Sequence, residues 1–324
     1  MNFLKKLVQI IKKSKQIVIA THIDPDADGI SAALSCGYLV EHFKRIRPKL
    51  YCYSPIPRKY AFILGNWKFA RTLPEFDLLI AVDSAGISRI FPGENELSSK
   101  ILGSKFIVNI DHHKSNEAFG TLRIVQEDVS SACEIIYTIF QGLRITIKKP
   151  LAEIFYCGIY SETGGFVYPN TTHESLKMAS ELVGLGVEPG PISKQLNAKS
   201  LSGTLLLSEV LKTIEIENSV GTMCLTQKML KKCSAKITDS EHFVSFLQAI
   251  NNVRVSIFLR EEKNGTRVSL RSDGVMDVDK LAGRFGGGGH RLAAGVRVKM
   301  PIKLAKKELL RAVRQEFQKQ SRRK

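Results

Sequence analysis

Between Thr21 and Ser31 the sequence reads Thr-His-Ile-Asp-Pro-Asp-Ala-Asp-Gly-Ile-Ser, crowding His22, Asp24, Asp26 and Asp28 into one short stretch. Carboxylates this close repel and raise each other's pKa unless a cation sits among them. A metal site resolves that conflict. An acidic turn capping a helix is the competing explanation, because Asp is a good N-cap. A second stretch, Asn109-Ile-Asp111-His112-His113-Lys114, adds an Asp and two adjacent His. Neighbouring side chains diverge, so all three need not touch one ion. The division expected is one His on metal, the Asp orienting or bridging, and the other His meeting a phosphate. Imidazole nitrogens and carboxylate oxygens together suit Mn²⁺, with Mg²⁺, Co²⁺, Fe²⁺ or Zn²⁺ as alternatives. Thiolates are missing from both stretches, which argues against a structural zinc.

Strands must bring these groups together. Gln16–Thr21, Leu78–Val82 and Phe106–Ile110 are short apolar runs, read as buried strands that end at His22, Asp83 and Asp111. Helical patterns separate them: 3–13 places apolar residues at 3, 4, 7, 8, 10 and 11, and 131–142, 151–159 and 172–184 also read as helices. The expectation is an α/β fold with a parallel sheet and flanking helices, its site beyond the carboxyl ends of the strands. Gly184–Pro191 breaks the pattern. The expected division is a catalytic domain over 1–185, a linker over 186–208 and a smaller α/β domain over 209–324. The second domain should carry a mixed sheet from strands near 253–259, 267–271 and 294–298, a Gly-rich turn at 286–289 and a basic C-terminal helix.

In combination, His-x-x-Pro-Asp-x-Asp at 22–28, a strand ending in Asp83, and Asp111-His112-His113 resemble the DHH phosphoesterases. Ser269-Leu-Arg271-Ser, followed by Phe285-Gly-Gly-Gly-Gly-His290-Arg-Leu-Ala-Ala-Gly295, resembles that family's DHHA1 substrate domain. The resemblance runs over about residues 16–298. It implies a metal-ligand set of His22, Asp26, Asp28, Asp83 and His112, with Asp83 bridging two ions. It also implies that Asp111 orients His112 and that His113 faces the substrate phosphate or the leaving oxygen. Asp24 falls at a variable position. Where the family has Asp-Thr-Gly, this chain has Glu162-Thr163-Gly164; Glu162 is one methylene longer and is expected to keep coordinating. Arg271, the backbone of Gly287, Gly288 and Gly289, and His290 are implied to grip a terminal phosphate, the glycines by presenting open N–H groups.

The implied chemistry is phosphoester hydrolysis with two divalent ions, Mn²⁺ or else Mg²⁺ or Co²⁺, which lower the pKa of a bridging water. The two-domain layout is similar to the short branch of the family that degrades very short RNA (nanoRNA) to mononucleotides and dephosphorylates 3′-phosphoadenosine 5′-phosphate (pAp). Linear or cyclic dinucleotides such as pApA and cyclic di-AMP are alternative substrates, and a non-catalytic nucleotide or RNA binder is the alternative class. A homodimer is implied by the resemblance alone.

Composition sets the outer bounds. The 324 residues are 44% hydrophobic and 24% charged, enough for a real core and two domains. No apolar run is long enough to span a membrane, and residues 1–13 are too interrupted for an export signal. The six Cys form no Cys-x-x-Cys pair, so reduced thiols in the cytoplasm are expected. The formal charge of +17 sits mainly at the ends: residues 1–16 carry five Lys and no acid, and 299–324 carry ten Lys or Arg against two Glu. Such ends are solvated helix faces or add salt-sensitive attraction to polyanions.

Overall fold

The computed structural model describes residues 2–93, 101 and 106–321, and the chain divides into two compact units, Met1–Ala198 and Lys199–Lys324. The first unit runs α1 (Asn2–Lys13), β1 (Ile17–Ala20), α2 (Ala27–Lys44), β2 (Lys49–Tyr51), α3 (Ala61–Leu64), β3 (Phe69–Ala70), β4 (Leu78–Val82) and β5 (Phe106–Asp111). It continues with β6 (Leu122–Val125), α4 (Ala132–Gly142), α5 (Lys149–Glu162), α6 (His173–Gly184) and α7 (Pro189–Asn197). Its six strands are all parallel, in the order β3-β2-β1-β4-β5-β6.

Both faces of this sheet are covered, which is why its central strands read as unbroken apolar runs. Ile17, Ile19, Ile80 and Val108 join one core with α2, α4 and α5, while Val18, Ala20, Leu79 and Ile107 join a second with Phe91 and Phe119. Helix α2 is buried from Ala27 through Gly37 without interruption. A helix covered all round has no polar stripe, so its sequence shows no amphipathic period.

The second unit runs α8 (Leu201–Leu211), β7 (Glu215–Glu217), β8 (Val220–Leu225), α9 (Gln227–Lys232), α10 (Val244–Gln248), β9 (Val255–Glu262) and β10 (Gly265–Ser272). It ends with α11 (Val278–Gly283), β11 (Gly288–His290), β12 (Ala293–Val298) and α12 (Ile302–Ser321). Its sheet, β11-β12-β10-β9-β8-β7, is antiparallel except for the parallel β8–β9 pair, so it is mixed. Helices α11 and α12 pack on one face of it through Leu281, Leu309 and Val313. Helices α8 and α10 cover the β8–β9 part of the other face through Leu206, Val210 and Leu247.

Two expectations change. Much of the segment 186–208 read as a linker is helical, in α7 and the start of α8. The Gly-rich segment is partly a strand: Gly288–His290 is edge strand β11, paired with β12. The terminal charge is partly spent inside the second unit. Lys306 meets Glu215 at 2.7 Å and Arg314 meets Glu217 at 2.8 Å. Arg322, Arg323 and Lys324 lie outside the described residues.

Candidate active site

Three strand ends deliver the chemistry of the first unit. His22 follows β1, Asp83 follows β4, and Asp111 closes β5 ahead of His112 and His113. The strands are neighbours in the sheet, so residues far apart in sequence converge on its carboxyl edge. Asp83 is the hub. Its Oδ2 lies 3.4 Å from His22 Nε2, and its Oδ1 lies 3.4 Å from His112 Nε2 and 3.7 Å from His113 Nδ1. Asp26 Oδ1 is 3.8 Å from His22 Nε2, and Asp28 Oδ2 is 4.0 Å from His112 Nε2. Two tight ligand trios result, His22–Asp26–Asp83 and Asp83–His112–His113, sharing Asp83.

Local structure aims each group. Asp26 caps α2, its carboxylate accepting from the Gly29 N–H at 3.0 Å. Asp28, in the first turn of α2 and fully buried, accepts from the N–H groups of Ala132 at 2.7 Å and Cys133 at 3.1 Å. These are unpaired amides at the start of α4, where the helix dipole favours an anion. The Nδ1 of His22 lies 2.8 Å from the Ile23 carbonyl, so its proton belongs there and Nε2 is left facing the carboxylates. Backbone conformation contributes as well, since Asp83 sits in the left-handed region at φ 51°.

Asp111 does not orient His112, as expected, but His113. His113 Nδ1 lies 2.7 Å from Asp111 Oδ1, and Asn116 Nδ2 holds the other oxygen at 2.6 Å. The reason is the alternation of an extended chain, in which residues two apart share a side. Asp24 stays outside the cluster, exchanging hydrogen bonds with Ser54 at 3.0 Å. Glu162, at the last turn of α5, interacts electrostatically with Asp26, Asp28, Asp83 and His112 but belongs to neither tight trio.

The electrostatics are those of a site built for cations. Burial and then Asp83 push Asp28 up to about 7, and burial and then Asp26 raise Glu162 well above the usual carboxylate range. Burial opposes a charge on His112, yet Asp83, Asp28 and Glu162 push it up to about 10. In the same way His22 is raised by Asp26 and Asp83 against its burial. Without a cation, protons on the imidazoles balance the carboxylates. The packing fits a cation as well. A Cβ on Gly29 would run into Thr21 Oγ1 and come within 3.1 Å of both Asp83 Oδ2 and His22 Nε2. Glycine thus leaves open the space around these donors. The donor set of oxygens and imidazole nitrogens fits divalent cations.

Sequence reasoning missed three supports. Arg89 accepts the Ile23 N–H on its backbone carbonyl at 2.7 Å, fixing the chain beside His22, and carries no motif that marks it. Asn116 was equally silent. The α4 amides that hold Asp28 were detectable, because Ser131 caps that helix through the Glu134 N–H in a Ser-x-x-Glu pattern.

In the second unit, Arg271 lies on β10 and His290 on β11, with Ala293 opposite each of them on β12. The amides of Gly287 and Gly289 are not free, contrary to expectation. The Gly287 N–H donates to the Ala282 carbonyl at 2.9 Å and the Gly289 N–H to Asp279 Oδ1 at 2.7 Å. Sequence could not show that α11 would supply both acceptors. Glycine is needed at 287 for close approach, since a Cβ there would collide with Gly295 and Val296 of β12.

This fold and site define a DHH-family phosphoesterase, and the chain belongs to that family. Residues 16–159 match the DHH family N-terminal domain and residues 226–319 the DHHA1 domain. The chain is 32% identical over 305 residues, 93% of it and 90% of the relative, to a protein of Thermus thermophilus named bifunctional oligoribonuclease and PAP phosphatase NrnA. It is 29% identical over 170 residues, 50% of it and 52% of the relative, to a probable manganese-dependent inorganic pyrophosphatase of Staphylococcus aureus. Among solved structures, an exopolyphosphatase-related protein from Bacteroides fragilis superposes with a TM-score of 0.86 at 26% identity, covering 98% of this chain and 96% of that one. No described helix is long and apolar enough to cross a membrane.

Proposed function

We propose that this protein hydrolyses very short oligoribonucleotides to mononucleotides and also dephosphorylates pAp, using two Mn²⁺ ions. The observation that carries this reading is Asp83, whose two carboxylate oxygens face His22 with Asp26 on one side and His112 on the other. The relative from Thermus thermophilus, named for both activities and matched over nine-tenths of its length, supports the substrate class. The half-length similarity to a manganese-dependent pyrophosphatase supports the metal.

In this reading His22, Asp26, Asp83 and His112 hold the ions, with Asp28 and Glu162 completing their surroundings. When bound, divalent ions acidify water and offset charge on phosphoryl oxygens. The protein's own groups do the rest. Asp111 keeps the proton of His113 on Nδ1, so His113 Nε2 faces the substrate and exchanges a proton with the leaving oxygen. Arg271 grips the terminal phosphate through its forked donors, with His290 across β12 on β11. Gly288 and Gly289 contribute a strand edge without side chains, and Gly287 leads into it. We extend the reading to a cytoplasmic homodimer, which sedimentation and fractionation test.

The deciding assay supplies Mn²⁺ and 5′-labelled di- to pentaribonucleotides, and separately pAp. Turnover of both, abolished in a folded Asp83→Ala variant, is the expected outcome. Binding without turnover at micromolar enzyme would make the protein a nucleotide binder instead.

A further inference from the structure

The face of the second unit's sheet opposite α11 and α12 carries three arginines in a row across β9, β10 and β12, two of them without an acidic partner at ion-pair distance among the described residues. Arg260 of β9 lies directly opposite Arg267 of β10, and Arg267 lies directly opposite Arg297 of β12. Like charges opposed across strands destabilise a sheet. Side-chain alternation puts Ser269 and Arg271 on this same face, while Val268, Leu270, Val296 and Val298 form the core on the other. Glu262 pairs with Arg297 at 3.3 Å. Arg260 and Arg267 have no acidic partner at ion-pair distance among the described residues.

Arg260 is the costliest member. It is only 7% exposed, its Nη2 donates to Ser269 Oγ at 2.7 Å, and its buried Nε has no partner. Its guanidinium lies 5.3 Å from the centre of the Phe258 ring. Burial and then Arg267 lower its pKa to about 10, with Glu262 and Glu241 opposing. A buried cation without a counter-charge is retained at a cost, and such local conflicts concentrate at functional sites.

We propose that Arg260, Arg267 and Arg297 form an anion-binding station for the phosphodiester backbone of an oligoribonucleotide, separate from the phosphate grip at Arg271. The proposal rests on the oligoribonuclease reading for the identity of its ligand. Arg267 and Arg271 are four residues apart on one strand, ~13 Å at the usual rise. The station therefore meets a phosphate further along the chain than the one at Arg271, and it favours oligomers over dinucleotides. Arg267 is the exposed centre of the ladder, and Arg260 beneath it supplies a pre-positioned guanidinium.

The test measures binding of fluorescent 5′-phosphorylated RNA dimers and pentamers to the full chain by anisotropy, with divalent metal chelated so that nothing is cleaved. Arg267→Ala should weaken pentamer binding about tenfold, the loss of a charge-assisted hydrogen bond, and change dimer binding far less. The salt slope for the pentamer should fall by ~0.7, and Arg267→Lys should restore it. The thermal midpoint of Arg267→Ala should equal or exceed that of the unmodified protein, because a repelling charge is gone. Equal losses for dimer and pentamer, an unchanged pentamer, or a clear drop in thermal midpoint would each overturn the proposal. Failure of the unmodified protein with Mn²⁺ to cleave either oligomer would sink the enzymatic reading while leaving a pentamer-selective loss intact.

Discussion

Replacing Gly29 with alanine sets two physical effects against each other. Gly29 is the third residue of α2, where alanine ordinarily stabilises a helix by about 0.5–1 kcal/mol. Here the added Cβ falls on Thr21 Oγ1 and lies 3.1 Å from Asp83 Oδ2 and His22 Nε2. Thr21 has no hydrogen-bond partner to lose, so its hydroxyl can swing aside. Asp83 cannot yield as easily, because it is held between His22 and His112 at 3.4 Å each. Overpacking of this kind costs about 1–3 kcal/mol, which outweighs the helix gain. A net loss of about 1–2 kcal/mol is therefore expected in the metal-free protein. Displaced ligands should also weaken Mn²⁺ activation by about 10–100-fold, the range for residues that orient a metal's ligands. Urea denaturation in chelator reads the first effect and turnover against Mn²⁺ concentration the second. A Gly29→Ala protein that is more stable, with an unchanged metal requirement, would refute the packing argument.

The charge balance of the metal-free site predicts its pH response. His112, raised from 6.5 to about 10, contributes stability that is complete below its unfolded pKa and lost as pH rises toward 10. Asp28, raised to about 7, favours folding while protonated, and that contribution disappears between its unfolded pKa of ~3.9 and 7. Asp83 is held low by His112 and His22 against its burial, so its contribution is lost in acid instead. Thermal midpoints in chelator should thus decline from pH 6 to pH 9, and Mn²⁺ should restore most of the difference; a flat profile contradicts the assignment. Asp111→Asn should lower kcat by about 10–100-fold with little change in the Mn²⁺ requirement, because it frees His113 rather than a ligand; an equal loss of metal affinity would move Asp111 into the metal site. Arg271→Ala should mainly raise KM for oligomers, and a fall in kcat at constant KM would remove it from substrate binding.

The ends of β1, β4 and β5 were legible because each is a short apolar run stopped by a polar residue, and burial on both sheet faces enforces that pattern. The motif residues around them were legible as chemistry because carboxylates and imidazoles crowd there without another purpose. Helix α2 left no periodic trace, being buried on every side. Strands β2, β3 and β6 are two to four residues long, too short to show a period. The basic C-terminal helix was visible as charge, but its pairing with Glu215 and Glu217 was not, because β7 lies nearly a hundred residues earlier in the chain.

Residue types and local spacing by themselves pointed to crowded metal-ligating groups at His22–Asp28 and Asp111–His113 and to two domains, and the reaction class followed from the resemblance of those motifs to a known family. Those are properties of short stretches, written in neighbouring letters. Tertiary structure alone decided that Asp83 sits at 3.4 Å from both His22 and His112, that Asp111 holds His113, and that α4 amides donate to Asp28. It also closed the Gly287 and Gly289 amides and lined up three arginines across β9, β10 and β12. Each of these depends on which strands become neighbours and in what register, and long-range pairing sets both.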